Sequence, residues 1–542
     1  MGRAKFQKNN LFPFWAKPNF KKVTFFRFGQ SHFSLFQGQK AKAHRKKEPL
    51  SVEKICVYMY SITNPILLRE PDMIYTDTRD KSVQTDFRTA VMSGMNSATG
   101  GLYIPTSYPK ISSSYLSNST DPSFRELAFE MAKPYVKGEI SDGDLMGIIQ
   151  DAYPFPAKVV PLDQVTYVLE LFHGPTCAFK DFGARFMARV MSYFNRGEDG
   201  KLHILVATSG DTGSAVGSAF HNVPGLDVTI LYPEGKISPL QEKQLSTFTG
   251  NVRALKVKGT FDDCQKLVKT AFTDAELRSK FRLSSANSIN ISRLLPQSFY
   301  YMYSSLVARN RSRNDNHIEN PAVIAVVPSG NFGNLTSGLI AREMGAPIAG
   351  FVAATNDNHT IPDWIATGEY KARPSVQTYS NAMDVGAPSN YERIKSMYTL
   401  DEVRSLFASY WTDNEGTLKA IDDCHTATGY TIDPHGAVAW KAWNDIRGGA
   451  MKSLVDGNKG DYTKPGLTPN IPSWANSIIE QKAVGIVLET AHPAKFGATV
   501  SKAIGSNPVI PDRLEKVMLL PEHAIPMNAN YDEFKAFLME TL

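Results

Sequence analysis

The residue whose surroundings point most directly to covalent chemistry is Lys180, in the run LFHGPTCAFKDFGARFMARVM (171–191). It follows the turn-forming His173-Gly174-Pro175, and Phe182, Phe186, Met187 and Val190 then return at helical spacing. A lysine at the start of an apolar-faced helix is partly desolvated. Desolvation disfavours the ammonium and leaves an amine able to form a Schiff base with a carbonyl. Two other segments have the composition of anion cradles: HILVA (203–207) runs into TSGDTGSAVG (208–217), and AVIAVV (322–327) runs into PSGNFGNLTSG (328–338). Small residues let the backbone approach a ligand, and a helix that follows presents free N–H groups and the positive end of its dipole. Neither has the GxxxxGK[ST] or GxGxxG spacing, so nucleotide hydrolysis and dinucleotide redox chemistry lose their main support.

The elements that must position these residues are short apolar runs followed by glycine-bearing loops and helix-like segments. The strand-like runs are HILVA, DVTILY (227–232), VRALKV (252–257), AVIAVV, AGFVAA (349–354) and AVGIVLE (483–489). Strands alternating with helices predict an α/β fold with parallel sheets covered on both faces. Ahead of them, VQTDFRTAVMSGM (83–95) reads as a helix and GGLYIP (100–105) as its stop, which suggests a small N-terminal domain. At 542 residues the chain is long enough for two or three domains, and no run approaches the roughly 18 apolar residues of a spanning helix. Four scattered cysteines (Cys56, Cys177, Cys264, Cys424) form no CxxC or Cys/His cluster, against a disulfide framework or a metal site. His435 and His492 have no partner at metal-ligand spacing, and Cys177 reads as a packing residue. The net charge of +6 is local: residues 1–50 hold twelve of the 59 Lys/Arg and one of the 53 acids, leaving the remainder at −5. Nucleic-acid binding is therefore not expected, and the basic segment reads as an extension, either a start upstream of Met59 or Met73 or an organellar targeting sequence.

A reactive lysine combined with anion cradles is what pyridoxal phosphate requires, for its aldehyde and its phosphate dianion. The segments around them resemble threonine synthase, a family of fold-type II pyridoxal-phosphate enzymes, in the branch found in bacteria and fungi. The resemblance is carried by Tyr75-Thr76-Asp77-Thr78-Arg79, GGLYIP, LFHGPTCAFKDF, ATSGDTGSAV (207–216), ISPLQEKQ (237–244), GNVRALKVKGTFDDCQ (250–265), NSINISRLLPQ (287–297), PSGNFGN, NAMDVGAPSN (381–390), DPHGAVA (433–439) and ETAHPAKF (489–496). These follow the family's order over about residues 73–542. The resemblance implies Lys180 as the lysine that holds the cofactor and moves protons, Gly330, Asn331, Phe332 and Asn334 around the cofactor phosphate, and Thr490 as the hydroxyl facing the pyridine nitrogen. It implies Ser209, Asp211 and Thr212 in a substrate-binding loop, and Asn290, Arg293, Thr78 and Arg79 near the substrate phosphate. Where the family usually reads Ser-Thr-Arg-Gly, this chain has Asp77-Thr78-Arg79-Asp80, which puts negative charge beside an anionic substrate.

The reaction so implied converts O-phospho-L-homoserine and water into L-threonine and phosphate (EC 4.2.3.1). The alternatives are a related lyase releasing 2-oxobutyrate and phosphate, and a cofactor-binding protein without turnover. The expected organisation is a 1–72 extension, an N-terminal domain over 73–163, a large cofactor-binding domain over 164–200 and 296–542, and a small domain over 201–295 carrying TSGDTG. The expected enzyme is cytoplasmic, a monomer or homodimer, with no metal, membrane or nucleic-acid partner and no activation by S-adenosylmethionine.

Overall fold

The computed structural model describes residues 73–118 and 122–542; the 1–72 extension lies outside the described residues. Three sheets organise the described residues. The first is antiparallel, in the order β2-β1-β3, from β1 (Tyr75–Asp77), β2 (Gln84–Thr85) and β3 (Tyr103–Pro105). The helix read over 83–95 is shorter, Phe87–Ser93, because the Asp86 carboxylate accepts from the Thr89 N–H at 2.7 Å and so caps it. Residues 84–85 are thereby free to pair with β1.

The second sheet has seven strands in the order β13-β12-β11-β10-β14-β5-β4. They are β4 (Lys158–Pro161), β5 (Thr166–Glu170), β10 (Ala322–Pro328), β11 (Gly350–Thr355), β12 (Phe407–Trp411), β13 (Gly466–Leu467) and β14 (Ala483–Glu489). Its five inner strands are parallel, and β4 and β13 close the edges antiparallel. The third sheet is wholly parallel, in the order β15-β8-β7-β6-β9: β6 (Leu202–Ala207), β7 (Leu226–Pro233), β8 (Val252–Lys258), β9 (Arg282–Ser285) and β15 (Ile525–Asn528). All six strands read from apolar runs are present, and β6, β7, β11 and β14 are buried along their whole length, as parallel strands covered by helices on both faces must be.

Two boundaries of the expected domains differ. β15 joins the five-stranded sheet beside β8, and the terminal helix Tyr531–Thr541 buries Phe534 and Leu538 against Leu205, Leu231 and Leu255. The chain end thus belongs with the segment 201–295. Its strand is four residues with Pro526 inside, tolerated only at a sheet edge and giving no periodic signal. β4, inside the segment assigned to the N-terminal domain, pairs with β5 in the seven-stranded sheet. Among the described residues no helix is long and apolar enough to cross a membrane.

Candidate active site

A cavity of about 1080 Å³ opens where the C-terminal ends of β6 and β10 face one another, the position at which open parallel sheets bind ligands. Lys180 lies in it as the first residue of the helix Lys180–Phe194. The turn before it is held from within by Asp181, whose carboxylate accepts the Thr176 N–H and hydroxyl, each at 2.8 Å. It is held from without by the segment after β14: the Phe179 N–H donates to the Thr490 carbonyl at 2.8 Å and the His492 N–H to the Cys177 carbonyl at 3.0 Å. This stitching brings Lys180 and Thr490, 310 residues apart, into one cavity. The Lys180 side chain rests over the Phe179 ring, its Nζ 3.7 Å from Asp211 Oδ2. Burial, opposed by Asp211 and reinforced by Arg293 and Lys495, pushes its ammonium down to about 8, so an appreciable share is free amine near neutral pH.

At the end of β6 the Thr208 hydroxyl oxygen accepts from the Gly210 and Gly213 N–H groups at 3.0 and 2.8 Å, and Gly210 takes φ 127°, which a side chain would strain. Ser209 and Thr212 face the cavity from this loop. Asp211 opens the helix Asp211–Phe220 and is buried, with Oδ1 accepting from Gln241 Nε2 at 2.9 Å and paired with Lys495 Nζ at 2.7 Å. Burial alone would raise this carboxyl, but the ammonium groups of Lys495 and Lys180 outweigh it and hold it well below the usual carboxylate range.

At the end of β10 the arrangement is different. Gly330 has no room for a side chain, since a Cβ there would lie 2.6 Å from the Met383 Cα, and Phe332 adopts a left-handed φ of 59°. Ala382, next to Met383, donates its N–H to His435 Nε2 at 3.2 Å. Nδ1 of that ring therefore carries the hydrogen shared with Asp433, 3.0 Å away. Asn331 spans to Ser288 Oγ at 2.6 Å and accepts from the Ser389 N–H. The helix Gly333–Glu343 that follows has neither a side-chain cap nor an acid in its first turn, so its N-terminal N–H groups are unanswered. Asn334 Oδ1 accepts from the Tyr300 and Tyr301 hydroxyls at 2.6 and 2.9 Å, while its buried Nδ2 has no partner among the described residues. A closed glycine cradle, free helix N–H groups and an orphaned amide donor fit a phosphate dianion.

Arg293 is buried on the cavity wall with no acidic partner among the described residues. Its Nη1 donates to the Ala286 carbonyl at 2.6 Å, Nε is unpaired, and burial pushes the guanidinium down to about 10. A second anion, that of the substrate, is what would answer it. Asn290 does not join it. Its Nδ2 donates to the Val91 and Ser285 carbonyls, its Oδ1 accepts from the Ser292 N–H and hydroxyl, and it caps the short helix Ile291–Leu294. Both its amide groups are engaged by neighbouring chain and it does not line the cavity, so the structure does not bring Asn290 to the wall where the substrate phosphate was expected.

Thr78 and Arg79 do line the cavity mouth, and both are engaged by Glu392: Arg79 Nε lies 3.0 Å and Nη2 2.5 Å from Oε1, and the Thr78 hydroxyl donates to Oε2 at 3.2 Å. The acids that replace the family's small residues point elsewhere. Asp77 is buried, accepting from the Arg79 N–H and Asn96 Nδ2, each at 2.7 Å, and from the Thr99 hydroxyl; Asp80 accepts from the Ser82 N–H and hydroxyl. Neither lines the cavity, although both flank Thr78 and Arg79, which do. Sequence reasoning missed Lys495, Gln241, Glu392 and His435 as parts of the site. Lys495, Gln241 and His435 stand in motif strings, but a buried lysine or glutamine has no periodic signature that separates it from a surface one.

A family model described as "Threonine synthase N terminus" matches residues 74–153, one described as "Pyridoxal-phosphate dependent enzyme" matches 154–453, and one described as "Threonine synthase, C-terminal" matches 474–538. The chain is 38% identical over 462 residues to the threonine synthase of Haemophilus influenzae, covering 84% of this chain and 97% of that one. It is 36% identical over 469 residues to that of Escherichia coli, covering 85% and 98%. The crystal structure of Escherichia coli threonine synthase superposes with a TM-score of 0.72 at 35% identity, over 87% of this chain and all of that one. The pyridoxal-phosphate-bound threonine synthase of Brucella melitensis gives 0.73 at 31%, over 86% and 99%.

Proposed function

The chain belongs to the threonine synthase family of pyridoxal-phosphate enzymes and converts O-phospho-L-homoserine and water into L-threonine and phosphate; from that premise we propose how its own residues divide the work. Lys180 binds the cofactor covalently, the cradle of Gly330, Asn331, Phe332 and Asn334 holds its phosphate, and Thr490 offers its hydroxyl to the ring nitrogen. Bound there, pyridoxal phosphate supplies an aldehyde that takes up a primary amine and a ring that spreads negative charge from neighbouring carbons.

The remaining steps are the chain's. Lys180, whose ammonium burial already weakens in the cofactor-free site, is poised to take and return protons at the substrate's adjacent carbons without leaving the cavity. Arg293 holds the substrate phosphate as its bond breaks, and the buried site strengthens that contact relative to water. Ser209, Thr212 and the N–H groups beside them hold the substrate carboxylate, while Thr78 and Arg79 close the mouth. The seven-stranded sheet thus carries the cofactor and the five-stranded sheet the substrate loop. The enzyme acts in the cytoplasm, as a monomer or homodimer.

The observation that carries this assignment is Arg293, a buried cation without an acidic partner among the described residues, sharing a cavity with a lysine whose pKa burial lowers to about 8. The test is to incubate holoenzyme and Lys180→Ala with O-phospho-L-homoserine, assaying threonine, 2-oxobutyrate and phosphate while recording the cofactor's absorbance. Equal threonine and phosphate are expected, with turnover and the lysine-dependent band both lost in the variant. Unchanged turnover in Lys180→Ala would overturn the assignment.

A further inference from the structure

Lys495 has no task in this division of labour, yet it occupies the most enclosed position of any cation at the site. It stands in the turn Pro493–Phe496 just after β14, with its side chain fully buried. Its Nζ lies 2.7 Å from Asp211 Oδ1 and donates to the Thr176 carbonyl at 3.0 Å. Gln241 Nε2 donates to the same carboxylate oxygen. Asp211 is therefore anchored through Oδ1 and turns only Oδ2 toward Lys180, at 3.7 Å, beyond hydrogen-bond reach.

The consequence follows from counting charges in a dry site, where an uncompensated charge is costly. With Lys495 present, loss of the Lys180 proton leaves a closed Asp211–Lys495 pair. Without Lys495 the same loss would leave a lone buried carboxylate, and Lys180 would keep its proton to neutralise it. Cofactor capture needs the unprotonated amine, because its nitrogen lone pair forms the bond to the aldehyde carbon as one water leaves. We propose that Lys495 is a positioning residue that, by anchoring and neutralising Asp211, keeps Lys180 available as a free amine. This rests on Lys180 being the cofactor lysine. The other charged group facing Lys180 is Arg293, whose charge a bound phosphate would answer; Lys495 in turn faces Asp181 and the Cys177 thiol besides Asp211.

The experiment uses full-length enzyme stripped of cofactor, with pyridoxal phosphate as the probe. Capture rate is followed against pH by absorbance and by borohydride trapping with identification of the labelled lysine. Lys495→Met should move the midpoint of capture up by about one pH unit or more and slow capture about tenfold near neutral pH. Lys495→Arg should keep the midpoint, and Lys495→Met/Asp211→Asn should move it back. Asp211→Asn alone, which does not depend on Lys495→Met folding, should move the midpoint down. An unmoved midpoint in a folded Lys495→Met, or no downward move in Asp211→Asn, would overturn the proposal. Trapping at another lysine in wild type, with Lys180→Ala still labelled, would instead overturn the assignment of Lys180.

Discussion

The joints after β6 and after β10 look alike as sequence, TSGDTG and SGNFGN, and each leads from a buried strand into a helix at the same cavity. They differ in what answers the helix dipole. After β6 the chain supplies its own anion: Asp211 sits in the first turn, bound to Gln241 and Lys495. After β10 it supplies none; the first turn has no acid, and Asn334 Nδ2 lacks a partner among the described residues. On the proposed division of work, the first joint is an internally neutralised platform that tunes a lysine and the second is the one left to take a phosphate. A glycine-rich joint is thus a geometry whose chemistry depends on whether a carboxylate is already seated there.

The largest effect is expected on the open side. Arg293→Met removes a guanidinium that meets its charge partner only in the substrate, so KM for O-phospho-L-homoserine should rise about 100-fold or more, roughly 3 kcal/mol. Steady-state kinetics at saturating cofactor would check this, and an unchanged KM would break the assignment of an external anion to this wall. Next comes the cost of keeping Lys180 buried. Its pKa falls from 10.5 to about 8, so the native state binds its proton less well than the unfolded chain does. Below about pH 8 this opposes folding by up to about 3 kcal/mol, and the penalty fades as pH rises toward 10.5. Lys180→Met should therefore stabilise the cofactor-free enzyme near pH 7, with the difference from wild type shrinking across that window in urea titrations.

A smaller effect sharpens the comparison directly. Gly330→Ala must push the Met383 backbone away, costing about 2 kcal/mol, or roughly thirtyfold in cofactor affinity by absorbance titration. Gly210→Ala meets the Gln241 side-chain amide instead of backbone, and should disturb Lys180 titration more than cofactor affinity. Equal losses of cofactor in both would dissolve the distinction between the joints. The smallest is Asn290→Ala, which leaves backbone groups unpaired and should lower stability by about 1–2 kcal/mol while leaving KM within twofold. A KM change above tenfold would restore Asn290 to the substrate.

Much of the site was legible because its residues sit where periodicity breaks: Lys180 at a helix start, Gly330 and Gly210 at strand ends. Asn290 shows where that legibility stops. It lies in a motif string beside Arg293 and has the right chemistry, but whether an amide faces a ligand or the backbone depends on what packs around it, here Val91 from a segment 199 positions away as well as the nearby Ser285. Asp77 and Asp80 are the converse case. They looked like charges opposed to the substrate, and side-chain direction turned one into Asn96 and Thr99 and the other onto Ser82.

By itself the sequence determined the alternation of strand and helix, the buried parallel strands, and the placing of a lysine at a helix start and of glycines at two strand ends, since these depend on local periodicity and backbone sterics. Only the tertiary structure decided which charges share a dry site. The joining of β15 to β8 and the meeting of Lys495 with Asp211 across 284 positions of chain are of this kind. Pairing between segments so far apart is set by the packed core as a whole, and the energy of a buried charge by its neighbours in space.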